Sequence, residues 1–159
     1  ERSLKLFPFS GIYSASKNLI DLEKNKKIDQ QVNTVSLFWE TIGENMDQWR
    51  GVRVGNLSAS EVRRDFIHTH VIILQALGHM GKDLLKQFPT NWKSKLKNLN
   101  KINWLKNNSI WQQRVIINGR VVKNNNSIIL ASNVIKKALG IKLDTKEKAL
   151  ESQVKKSGK

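Results

Sequence analysis

The chain has no cysteine, only 13 acidic residues against 28 basic ones, and no apolar run of membrane length. Without cysteine there is no disulfide scaffold and no thiolate metal site, which fits a reducing compartment. The longest run of large apolar residues, Val71 to Leu74, falls far short of the roughly 20 needed to cross a bilayer. No opening segment has a charged start followed by an apolar core. A soluble, cytoplasmic protein is the expectation. The chain opens on Glu1 rather than methionine, so it is expected to be the C-terminal part of a longer protein. Its 159 residues suffice for one domain with its own core and are too few for two. Residues 1–143 are therefore expected to form a single helical domain. Residues 144–159 carry too few apolar side chains to pack and read as a basic, mobile tail.

What the sequence does have is positive charge, +15 in all, and it is unevenly placed. From Glu1 to Gly81 there are 10 Lys and Arg against 9 Asp and Glu; from Lys82 to Lys159 there are 18 against 4. A basic half beside a balanced half suits a polyanion, because each phosphate neutralised releases condensed counterions. The alternative is a lysine-rich, merely solvated surface, since charge speaks to association and not to fold.

Apolar spacing predicts a mainly α-helical domain with a small β-hairpin near its C-terminal end. Ile12, Ala15, Leu19 and Leu22 recur at helical intervals, after Pro8, which discourages helix at Phe7. Val32, Val35, Trp39, Ile42 and Met46 form a second stripe. The glycines of residues 47–60 predict a loop. A long helix is then expected from a Ser58 or Ser60 cap to about Gln87, with His70 in its apolar face and the other histidines at the border. Gly78 and Gly81 each cost it about 1 kcal/mol relative to Ala, so another backbone is expected to pack against them. Thr90 or Asn91 caps a short helix carrying Trp92, Leu96 and Leu99, and Asn108 or Ser109 starts one more turn. "RVIINGRVV" is a two-residue hairpin signal, because Asn-Gly tolerates the positive φ of a type I′ turn. Ser127 caps a last helix, Ile128 to Leu139, which Gly140 ends.

Candidates for chemistry are few. His68 and His70 diverge by about 200° on a helix and cannot share an ion, while His79 lies three turns from His68, so no metal and no cofactor is expected. Glu40, Glu44 and Asp47 read as a solvated helix face rather than a two-metal cluster. No nucleophile motif or phosphate-cradling loop occurs, and the expectation is a non-enzyme. Trp92, Trp104 and Trp111 sit among lysines but at apolar positions, and read as core rather than base-stacking platforms. The expected contacts to nucleic acid are Arg114, Arg120 and Lys123 around the hairpin and Lys136 and Lys137 on the last helix, joined by Lys93, Lys95 and Lys97. Most would meet phosphates. A winged helix is excluded by order, since there the hairpin follows the recognition helix.

"SLFWETIGENMDQW", "EVRRDFIHTHVIILQALGHMG" and "NWLKNNSIWQQRVIINGRVVKNNNSIILASNVIKKALGI" together resemble the C-terminal half of the DndB family, DNA sulfur modification (phosphorothioation) proteins with a DGQHR domain. The motif that names that domain would lie upstream of Glu1. The resemblance implies a bacterial accessory protein that binds operator or promoter DNA and represses the modification gene cluster without transferring sulfur. Duplex DNA is then the expected partner, with homo-oligomers or other proteins of the modification system as further partners. Two alternatives stay open: a non-catalytic interaction module of that machinery, and a DNA-processing enzyme whose active site lies upstream.

Overall fold

The computed structural model describes residues 5–20 and 27–157. Among these, eight α-helices and one two-stranded hairpin follow in the order α1 (Phe9–Ile20), α2 (Ile28–Glu44), α3 (Asp47–Arg53), α4 (Ala59–Asp65), α5 (Val71–Gln87), α6 (Trp92–Leu96), β1 (Ile116–Ile117), β2 (Arg120–Val121), α7 (Asn125–Leu139) and α8 (Thr145–Ser157). The fold is mainly helical with a hairpin near its C-terminal end, as the apolar spacing predicts. Leu22 and the first part of the charged break near residue 25 lie outside the described residues.

α5 is the central element because its apolar face is broad: Ile72, Ile73, Leu74, Ala76, Leu77, Met80 and Leu84 are all buried. α1 packs along one side and α7 along another. The two glycines explain how closely α1 approaches. A Cβ at Gly78 would overlap the carbonyl of Ala15 on α1, and one at Gly81 would overlap the Phe38 ring and Leu19. The cost of glycine in the helix interior is thus offset by a backbone contact no other residue permits.

Three expectations change. The single long helix breaks in two, because Phe66 and His70 are extended and residues Ile67–Thr69 make a 3₁₀ turn. Tertiary bonding competes with helix there: Ile67 N–H donates to the Trp104 carbonyl and Lys106 N–H to that of Asp65. The expected loop after residue 46 begins with α3, which buries Trp49. The tail expected to be mobile is helical from Thr145 to Ser157. It is started by a reciprocal pair, Glu147 N–H to Asp144 Oδ1 at 2.8 Å and Asp144 N–H to Glu147 Oε2 at 2.9 Å, the geometry of a capping box.

The histidine roles also exchange. His68, not His70, is fully buried, in a cluster with Trp49, Phe66 and Trp104. Trp49 Nε1–H donates to His68 Nδ1 at 3.0 Å, so the ring proton sits on Nε2 and is donated to Gln48 Oε1 at 3.2 Å. Burial away from solvent pushes the His68 pKa down to about 3, so this is a neutral structural histidine. Two caps agree with the sequence: Ser58 and Glu61 form a capping box on α4, and Asn108 caps the turn Ser109–Trp111, whereas Asn91 stands at the N-cap of α6 without a side-chain bond. Trp92, Trp104 and Trp111 are buried, as expected of core residues.

Candidate nucleic-acid interface

The hairpin is held from below and open above. Asn118 and Gly119 have φ of 51° and 73°, the left-handed pair that a type I′ turn needs. Ile116 pairs with Val121 and Ile117 with Arg120. Val122 N–H donates to the Val115 carbonyl at 2.8 Å, while Val115, Ile116 and Trp111 are buried beneath. Arg120 and Lys123 therefore stand exposed on a short rigid support, with no acidic partner among the described residues.

α7 begins just beyond them. Asn124, not Ser127, is its cap: its side chain accepts the Ser127 N–H at 2.8 Å, and the Asn-rich stretch supplies the first turn. Gly140, at φ 71°, closes the other end, as a left-handed C′ residue should. Beside Gly140 lies the Lys95 ammonium. Arg120 and Lys123 before the start of α7 and Lys95 beside its end thus mark two groups, separated by about 22 Å of helix rise.

The second group is weaker than its charge suggests. Lys93 and Lys97 share a cleft with Glu40 and Glu44 of α2, whose carboxylates oppose a polyanion. Lys95 is half-buried with its ammonium 4.4 Å from the Phe88 ring centre.

The cations on α7 itself are largely taken. Lys136 is a correction to the expected contact set: its side chain is 1% exposed, and its ammonium is bonded to Asp83 of α5 and Glu147 of α8. Position 136 falls on the α7 face that meets α5, one turn beyond Ser132, whose hydroxyl lies 3.3 Å from His79 Nδ1. Lys137 is half-exposed but paired with Glu151 at 2.5 Å. Arg114 is 17% exposed and bonds the same carboxylate at 3.0 Å, with a further bond to the Ile110 carbonyl. Burial alone would push the Glu151 carboxyl up, but hydrogen bonds from Arg114 and Lys137, with their charges, outweigh it and hold its pKa below the usual range.

Sequence reasoning missed the role of α8. Of the four acids in the basic half, Asp83, Glu147 and Glu151 neutralise Arg114, Lys136 and Lys137. One signal was present: Asp83 is the only acid on α5 and lies four residues from His79. His79, Asp83 and Glu147 bring ligand atoms within 4.8 Å of one another. A metal would have to displace Lys136, whose ammonium already supplies the positive charge to both carboxylates.

A family model described as DndB, DNA-sulfur modification-associated, matches residues 1–142. The chain belongs to the DndB family. Neither a curated protein nor a solved structure matches it. The DndB match spans both cation groups and ends before α8 begins. Among the described residues of this DndB-family chain, no helix is long and apolar enough to cross a membrane.

Proposed function

We propose that this chain is the DNA-binding part of a transcriptional regulator that represses a bacterial DNA phosphorothioation gene cluster, and that it is not itself an enzyme. The observation that carries the reading is Arg120 and Lys123, exposed and without acidic partners on a hairpin anchored in the core. Membership of a family associated with DNA sulfur modification supplies the context. Phosphate contact by a rigidly held Arg and Lys fixes register on duplex DNA, and Lys93 and Lys97 extend it as secondary contacts. Arg114 and Lys137 act through the hairpin's support rather than as primary contacts, because Glu151 holds both.

The test is a fluorescence anisotropy titration of the cluster's own promoter duplex at two salt concentrations. Charge reversal at Arg120 and Lys123 should weaken binding at least several-fold. It should also lower the log–log salt slope by about two, one for each phosphate no longer neutralised. Unchanged affinity at both salts would overturn the assignment of these residues. The exposed apolar side chains of Phe9, Ile28 and Val32 favour a second reading, a non-catalytic interaction module of the modification machinery. Such a module should bind the promoter no better than a scrambled duplex, whereas a repressor should prefer the promoter.

A further inference from the structure

α8 is docked by charge more than by hydrocarbon. Over residues 145–154 only Glu147 and Glu151 are buried, Leu150 and Val154 are half-buried, and the rest are exposed. A surface helix ordinarily docks through an apolar stripe. Here the two inward positions, one turn apart, are carboxylates.

The two carboxylates differ in what they leave behind. Glu147 meets Lys136, which Asp83 of α5 also bonds. Glu151 accepts two N–H groups of Arg114, at 3.0 and 3.4 Å, and the Lys137 ammonium at 2.5 Å. Neither Arg114 nor Lys137 has another carboxylate partner among the described residues, so a single anion compensates both. Two cations converging on one oxyanion are equally suited to a DNA phosphate. Arg114 shares the cleft between the hairpin and α8 with Asn124, the neighbour of Lys123, so the covered cations adjoin the exposed ones. The DndB match ends at residue 142. The cations therefore belong to the part of the chain that matches the family, and the acids over them do not.

We infer that Arg114 and Lys137 form a phosphate site that Glu151 fills in cis, and that duplex DNA opens it by displacing the part of α8 after Glu147. This rests on the DNA-binding reading and adds a second pair of contacts together with what covers them. The exchange keeps both cations compensated, because one oxyanion replaces another, and the phosphates that bind also release counterions. Little apolar surface is uncovered, since only Leu150 and Val154 contribute hydrocarbon. In the closed form the two cations support the hairpin; in the open form they extend the contacts of Arg120 and Lys123.

Two measurements on the whole chain test this. In hydrogen exchange read by mass spectrometry, adding the promoter duplex to the wild type should speed exchange over residues 150–157 several-fold, slow it in the hairpin and leave α5 unchanged. In anisotropy titrations, Glu151→Gln should bind that duplex several-fold tighter than the wild type and steepen the log–log salt slope by about two, one for each cation released. Lys137→Gln added to Glu151→Gln should take back about half of the change in slope. Asp29→Asn, which removes one exposed negative charge from α2, should leave the slope unchanged, which separates uncovering from net charge. If Glu151→Gln fails to fold, the exchange measurement on the wild type decides alone. Unchanged or slower exchange over residues 150–157 on DNA, or a Glu151→Gln slope equal to that of the wild type, would overturn the cover and leave DNA binding through Arg120 and Lys123 standing. Failure of the wild type and Glu151→Gln alike to bind any duplex at low salt would overturn the DNA reading and the cover with it.

Discussion

Lys136 on α7 and Glu147 on α8 form an ion pair buried from solvent, and Asp83 on α5 completes it from the other side. Three elements are joined by one ammonium, so the pair ties α8 to the core. Removing one partner of a buried pair leaves the others uncompensated, at a cost of about 3–5 kcal/mol. Lys136→Met should therefore lower unfolding free energy by about that amount in urea denaturation, and additional Asp83→Asn and Glu147→Gln changes should restore part of it. Reversing Lys123, which is exposed, should leave the midpoint nearly unchanged. Equal effects at 136 and 123 would mean that Lys136 is not the brace.

Glu151 links α8 to the hairpin through Arg114 and to α7 through Lys137. Its carboxyl is held below its ordinary value of 4.5, so the unfolded chain takes up a proton at higher pH than the folded one. The contribution is present above the ordinary value and is lost as pH falls through the lowered one. Hydrogen exchange read by mass spectrometry should show α8 losing protection below about pH 4.5, before α5 does. Glu151→Gln should reduce α8 protection already at pH 7 and flatten the acid dependence. A wild-type α8 as protected at pH 3.5 as at pH 7 would contradict this.

How much of this was legible in the sequence depends on the range of the interaction. The Asn118–Gly119 turn, the Ser58–Glu61 box, the Gly140 terminus and the tight contact at Gly78 follow from local chemistry or from a residue that only a close neighbour can explain. The break at Phe66 was not legible, since it depends on Trp104 and Lys106 accepting and donating across nearly forty positions. Arg120 and Lys123 kept their expected exposure because a turn places them. Lys136 lost its own because a lysine's face on a helix is visible in sequence while its partner's position is not. The tail was misread for the same reason: its anchors are Glu147 and Glu151, carboxylates whose burial depends on cations elsewhere.

Gly43 on α2 and Gly78 on α5 make opposite predictions. At Gly43 a Cβ meets nothing within 4 Å, so Gly43→Ala should stabilise by about 0.5–1 kcal/mol through helix propensity and a less flexible unfolded chain. At Gly78 a Cβ overlaps the Ala15 backbone, and α1 must move away. Gly78→Ala should destabilise by about 1–3 kcal/mol or more, the range for overpacking. Thermal unfolding of both variants settles the sign, and a stabilised Gly78→Ala would mean that α1 does not pack as closely as described.

His68 sets the acid limb of stability above the carboxylate range. In the unfolded chain it titrates near 6.5, and in the fold, desolvated among aromatic rings, near 3. Below pH 6.5 the unfolded state therefore binds a proton that the folded state refuses. Stability falls by about 1.4 kcal/mol for each pH unit across that window. His68→Asn keeps an oxygen near the position of Nδ1 to accept the Trp49 indole N–H, and removes the titrating ring. The variant should be less stable at pH 7, by about 1–3 kcal/mol, because the stack on Phe66 is lost. Between pH 6.5 and 5 its urea-derived stability should decline less steeply than that of the wild type, by about one proton's slope. His70 and His79, also lowered by burial, act in both proteins and cancel in the comparison. Parallel pH profiles for the two proteins would show that His68 takes up its proton in the folded state, and that the neutral Trp49–His68–Gln48 chain of hydrogen bonds is not what holds this part of the core.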